Sequence, residues 1–284
     1  MIEYANEAER AALIEAVREG YMEVFPTPSI EARLAVLEPN AYVAVTCSPS
    51  KGVGETLDMT ERLIKRGFRV VPHIAAKMVR DRAHLGEIMA RLDALPVDSI
   101  FVPGGDAAKP KGEYHTAFEL LQDIADFDHR FTEIGVAAHP EGHPDVSDKR
   151  LLVELEKKQP LATYLVTQMC FDTEVIAGWL HTIRERGIHL PVWLGIPGEA
   201  DRAALLRTSL RIGVGDSVRF LKRKSDAAVK LMRSATYSPD DLMSGLAPLL
   251  VDPVNKIDGL HIFCFNLVAQ TEAWRNRSLE GLGA

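Results

Sequence analysis

Cations are in the minority in this sequence. Its 33 Lys and Arg residues face 40 Asp and Glu, for a formal net charge of −7, and no long block of like charge stands out. Nucleic-acid binding draws on concentrated positive charge that releases counterions, so neither a nucleic acid nor an anionic membrane surface is an expected partner. Long apolar runs are missing as well: none approaches the roughly 18 uncharged residues of a membrane span. The opening MIEYANEAERAALIEAV is acidic and amphipathic, without the basic and then apolar regions of a signal peptide. The expected localisation is cytoplasmic. Cysteine is scarce, and the odd set Cys47, Cys170 and Cys264 is too widely spaced for a disulfide framework. No linker rich in Pro, Gly or Ser interrupts the chain. A single domain over residues 1–284 is expected, long enough to bury a core without disulfide or metal staples.

What is present is alternation. Eight short apolar runs read as strands: Tyr21–Pro26, Tyr42–Cys47, Arg69–Ala75, Ser99–Pro103, Ile134–His139, Thr163–Cys170, Val192–Ile196 and Leu260–Asn266. They are apolar on both faces, as strands covered by helices should be. Between them lie segments with apolar residues three and four apart, at Thr56–Arg66, Asp81–Leu95, Tyr114–Phe127 and Thr173–Gly187, the last ending on a capping glycine. Glu7–Glu19 forms a helix before the first strand. A longer stretch before the last strand reads as extra helices at Ala200–Ser209, Val218–Ser234 and Asp240–Leu250. Repeated strand–helix units imply a parallel sheet with right-handed crossovers, and eight of them favour a closed (βα)8 TIM barrel over an open sheet.

In such a barrel the chemistry sits where the strands end. The polar residues closing the strands are Glu23, Thr46, His73, Asp106 after Gly104-Gly105, the run His139-Pro140-Glu141-Gly142-His143, Gln168 and Asn266. Each has a plain structural reading: an ion pair for Glu23, a helix N-cap for Asp106, backbone satisfaction for Gln168, loop packing for His73 and Tyr114. Convergence of the set on one face favours a pocket. A metal site from His139, Glu141, His143, His73 or the cysteines is disfavoured, because Pro140 and Gly142 oppose the helix that aligns paired histidines. A cysteine nucleophile at Cys47 or Cys170 lacks a supporting local motif.

Taken in order, the strand ends resemble the flavin-binding barrel of the methylenetetrahydrofolate reductase family. The matching pieces are Glu-Val-Phe-Pro at 23–26, Val45-Thr46, Pro72-His73, Gly105-Asp106, Val-Ala-Ala-His-Pro-Glu-Gly-His-Pro-Asp at 136–145 and Val-Thr-Gln-Met-Cys-Phe-Asp at 166–172. The last strand, Leu-His-Ile-Phe-Cys-Phe-Asn at 260–266, matches more loosely. The resemblance implies interconversion of 5,10-methylenetetrahydrofolate and 5-methyltetrahydrofolate, with NADH or NADPH as hydride donor and FAD as carrier. Its partners would be a tetrahydrofolate derivative and a nicotinamide dinucleotide, and a homo-oligomer is compatible with it. Opening the folate five-membered ring needs a proton at N10 and leaves a cationic iminium at N5. By position, Glu23 matches the general acid and Asp106 the residue that favours the cation. Gln168 and Asn266 match substrate contacts, and Thr46, His73, Asp106, Tyr114, Ala137, His139, His143 and Lys157 fall at FAD-contacting positions. No metal ligand is implied. The chain departs from the family pattern at Gly104, His139, Val153, Glu156 and Leu267, which keeps two alternatives open: direct hydride transfer without flavin, and a methyltetrahydrofolate-binding barrel of methyltransferase type.

Overall fold

The computed structural model describes residues 1–201, 205 and 236–284. Eight parallel strands form the barrel: β1 Tyr21–Val24, β2 Tyr42–Val45, β3 Arg69–Pro72, β4 Ser99–Val102, β5 Glu133–Ala138, β6 Tyr164–Thr167, β7 Val192–Pro197 and β10 Ile257–Phe263. They are ordered β3-β2-β1-β10-β7-β6-β5-β4, and a parallel bridge from His73 to Phe101 joins the two outer strands into a ring. Hydrogen bonds just beyond the strand ends reinforce that seam, from Ile74 N to the Phe101 carbonyl at 2.8 Å and from Ala76 N to that of Pro103 at 3.0 Å. The chain is therefore a (βα)8 barrel.

Among the described residues the α-helices are α1 Glu7–Glu19, α2 Ile30–Arg33, α3 Gly52–Lys65, α4 Arg82–Asp93, α5 Ala117–Ala125, α6 Asp148–Lys158, α7 Thr173–Glu185, α8 Asp240–Val251 and α9 Val268–Leu282. Their starts are chemically marked. The Asp81 side chain accepts from His84 N at 2.8 Å, Thr116 and Glu119 make a capping box, and Asp172 accepts from Glu174 N at 2.9 Å. Gly187, at φ 73°, follows the end of α7 as the sequence suggests. The expected helix at Val218–Ser234 lies outside the described residues, as does most of that at Ala200–Ser209. Ala200–Asp201 instead form a short strand, β8, antiparallel to β9 at Thr236–Tyr237. Among the described residues no helix is long and apolar enough to cross a membrane.

The core has two compartments. Aliphatic side chains fill the space between helices and barrel, while Tyr21, Ala44, Val71, Phe101, Tyr164 and Val166 pack inside the ring. Glycine makes room for the rings: a Cβ on Gly135 would lie 2.3 Å from the Tyr164 ring, and one on Gly259 would lie 2.6 Å from that of Trp193. Because every barrel strand runs the same way, every strand C-terminus opens on one mouth.

Candidate active site

Glu23 stands one residue from the C-terminal end of β1, at that mouth. Its side chain is 12% exposed, and Oε2 lies 3.1 Å from His261 Nε2 and 4.0 Å from His73 Nδ1. β1 carries the carboxyl inward, and β3 and β10 bring an imidazole to either side of it. Burial works to raise the Glu23 carboxyl, but the His261 hydrogen bond, with smaller electrostatic contributions from His261 and His73, brings it below its ordinary value. His73 goes the other way: burial depresses its ring to about 4, against the opposing pull of Glu23. Cys264 Sγ donates to the Glu23 carbonyl at 3.1 Å, and burial lifts its thiol to about 12. The cysteines are free thiols, with Cys170 and Cys264 buried.

Glu23, His73 and His261 are also the one trio of ligand-bearing side chains, among the described residues, whose donor atoms lie within 4.8 Å of one another. The outward ring atoms, His73 Nε2 and His261 Nδ1, are buried without a protein partner. Metal-binding imidazoles are oriented by an acceptor at that second nitrogen, and here it is missing. His139 and His143 do meet, their ring centroids 5.3 Å apart and nearly perpendicular, but they belong to no such trio.

The other strand-end residues divide into two groups. Around the mouth, Thr46 is buried with its Oγ1 unpartnered, and Asp106 is exposed just past Gly105, whose φ of 91° sets the turn. Asp106 is not a helix cap, since Thr116 caps α5. Ala137 faces the barrel interior, and its carbonyl accepts from Lys158 Nζ at 3.1 Å. His139 is depressed to about 4 by burial, with smaller contributions from His143 and Lys158, while His143 Nδ1 accepts from Asp145 N at 3.1 Å. Gln168 is half-buried, and its Oε1 accepts from Met169 N at 3.0 Å, the backbone role open to it from sequence. Asn266 spends its amide on the chain: Oδ1 accepts from Phe25 N at 2.8 Å, and Nδ2 donates to the Phe25 carbonyl at 3.1 Å.

Two expected residues sit apart from the cluster. Tyr114 donates to Asp123 at 2.5 Å, and Lys157 pairs with Glu154 at 3.1 Å. Both line a groove between α5 and α6, with Phe118 and Leu161, that includes none of the Glu23 cluster. The inward-facing cation of α6 is Lys158, buried and drawn down to about 8 by desolvation. His261 and Lys158 are the residues that strand-end reasoning misses. The first stands mid-strand, and the second is one helix position from its expected neighbour.

The family model described as methylenetetrahydrofolate reductase matches residues 30–200, more than half of the chain. The chain belongs to the methylenetetrahydrofolate reductase family. Methylenetetrahydrofolate reductase 2 of Saccharomyces cerevisiae is 31% identical over 101 residues, 34% of this chain and 17% of that protein. Methylenetetrahydrofolate reductase 1 of Schizosaccharomyces pombe is 35% identical over 68 residues, 22% of this chain and 11% of that protein. The aligned part of the chain thus spans under a fifth of the length of either relative. A chitinase structure from Bacteroides thetaiotaomicron superposes at a TM-score of 0.49 and 10% identity, covering 86% of this chain and 89% of its own.

Proposed function

We propose that the protein is an oxidoreductase that interconverts 5,10-methylenetetrahydrofolate and 5-methyltetrahydrofolate, with NADH or NADPH as hydride source and FAD as carrier. The observation that carries the reading is Glu23, an enclosed carboxyl at the barrel mouth held between His261 and His73. From there it can protonate N10 as the folate ring opens. Asp106, exposed past Gly105 at the same mouth, would favour the iminium cation left at N5.

The residues present fit a flavin. Thr46 Oγ1 and His73 Nε2 are buried and unpartnered, and Lys158 is a buried cation beside His139. These groups would hold FAD at the mouth, where it would take hydride from the nicotinamide and deliver it to the folate. A second reading, hydride transfer without flavin, is favoured by one observation: Glu156, at a family FAD-binding position, is turned to Arg186 at 2.7 Å.

The visible spectrum of the purified protein, followed by anaerobic NADH, tests the choice. Flavin bands that bleach with NADH and return with methylenetetrahydrofolate support the FAD route. A colourless protein that oxidises NADH only with folate present supports direct transfer. Absence of both activities would remove the reductase reading.

A further inference from the structure

His261 lies on β10 opposite Tyr21, one inward-facing layer below Glu23, which stands opposite Phe263. Its side chain is 1% exposed and collared by aromatic rings, with the Tyr21 and Phe263 centroids each 4.8 Å away and that of Phe101 at 6.4 Å. Within this collar the imidazole makes one side-chain hydrogen bond, Nε2 to Glu23 Oε2 at 3.1 Å, the His73 ring lies 6.1 Å away centroid to centroid, and Nδ1 has no protein partner. An isolated charge in such a place is costly. A carboxylate with an imidazolium, and the same two groups after the proton has crossed, both have zero net charge, so a single proton can be kept there without an unpaired ion.

We propose that Glu23 and His261 hold one proton between them, and that His261 is the positioning residue that keeps it available to Glu23. The proton's destination rests on the reductase reading, whereas the pair itself does not. The proton in question is the one that bridges His261 Nε2 and Glu23 Oε2 across 3.1 Å. It crosses to Glu23 Oε2, the O–H bond forming as the N–H bond breaks, and leaves His261 neutral. Glu23 then gives it to folate N10, which keeps the electron pair of the breaking carbon–N10 bond while the N5 lone pair closes the iminium. Water restores the proton after product leaves.

The surrounding titratable groups leave that proton to the pair. His73 on β3 faces the same oxygen from 4.0 Å, but burial keeps its ring neutral above about pH 4. Tyr21 on β1 and Cys264 after β10 are both raised by burial and stay protonated.

The test uses His261→Phe and His261→Gln. The Glu23 carboxyl is titrated by infrared difference spectroscopy with Glu23→Gln as the blank, and kcat and KM are followed across pH. In His261→Phe the Glu23 midpoint should rise by about one unit or more, because its hydrogen bond and neighbouring charge are gone. His261→Gln keeps a donor but carries no acid proton, so KM for the folate should hold while kcat falls about tenfold or more. An unmoved Glu23 midpoint in His261→Phe, or wild-type kcat across pH in His261→Gln, overturns the proposal. So does one tightly held divalent metal per chain that is lost in His261→Phe, which would make the trio a metal site. A wild-type protein with no folate turnover removes the reductase reading alone, and the infrared titration still decides the pair.

Discussion

Glu23 and His73 share one enclosed space that drives each toward its neutral form, and only Glu23 has a hydrogen bond strong enough to resist. The consequence for His73 is a stability that depends on pH. Its folded value of about 4 lies below the ordinary 6.5, so between those values the unfolded chain binds the extra proton. Stability from this residue is therefore complete above pH 6.5 and is lost as pH falls toward 4, on the order of 2 kcal/mol by pH 5. His73→Phe should flatten the fall in urea midpoint between pH 6.5 and 5, and an equally steep fall in that variant would assign the effect elsewhere. The two lysines of α6 make a second contrast. Neighbouring helix positions are turned about 100° apart, so Lys158 is buried where Lys157 is solvated. If FAD is held as proposed, Lys158→Ala should lower the flavin retained through gel filtration several-fold and Lys157→Ala should leave it unchanged. The opposite ranking would return the role to Lys157.

Asn266 shows what a residue just past the end of a strand can do. It sits at φ 62°, tolerable for Asn, and its amide ties the end of β10 to the backbone of Phe25 beyond β1. Asn266→Leu removes both bonds and places a branched side chain in a left-handed conformation, at a cost of about 3 kcal/mol. Urea unfolding should show it as a lower midpoint with unchanged slope. A folate contact would appear instead as a raised KM with the midpoint intact. At this scale much was legible. All eight barrel strands and the helix Glu7–Glu19 follow from apolar runs and spacing, because strands covered on both faces must be apolar throughout. The strands end sooner than their apolar runs, since Phe25, Pro26 and Ile74 are as apolar as the strands they follow. α9 carried no such signal, because its buried face includes Thr271, Glu272 and Ser278 beside Val268 and Trp274. The His261 pairing was hidden for a different reason: Glu23 and His261 are 238 positions apart, and only barrel closure brings them together.

The whole molecule is a ring of unequal joints. β10 and β7 pair along most of their length, from Ile257–Val192 to Phe263–Pro197, whereas β3 and β4 meet at the single His73–Phe101 bridge and the hydrogen bonds just past it. Local opening should start where fewest bonds must break. Hydrogen exchange should therefore find the amides of Ile74 and Ala76 less protected than those of β7 and β10, and equal protection would mean that the ring opens only as a whole. That thin joint carries His73, with Glu23 on one side and Asp106 and Ala137 on the other. Anything gripped from both sides at once acts as a clasp on a hoop. We expect bound cofactor or substrate to slow exchange at Ile74 far more than at β10, so that the empty barrel is the one that springs open, and occupancy is itself part of what keeps the protein whole.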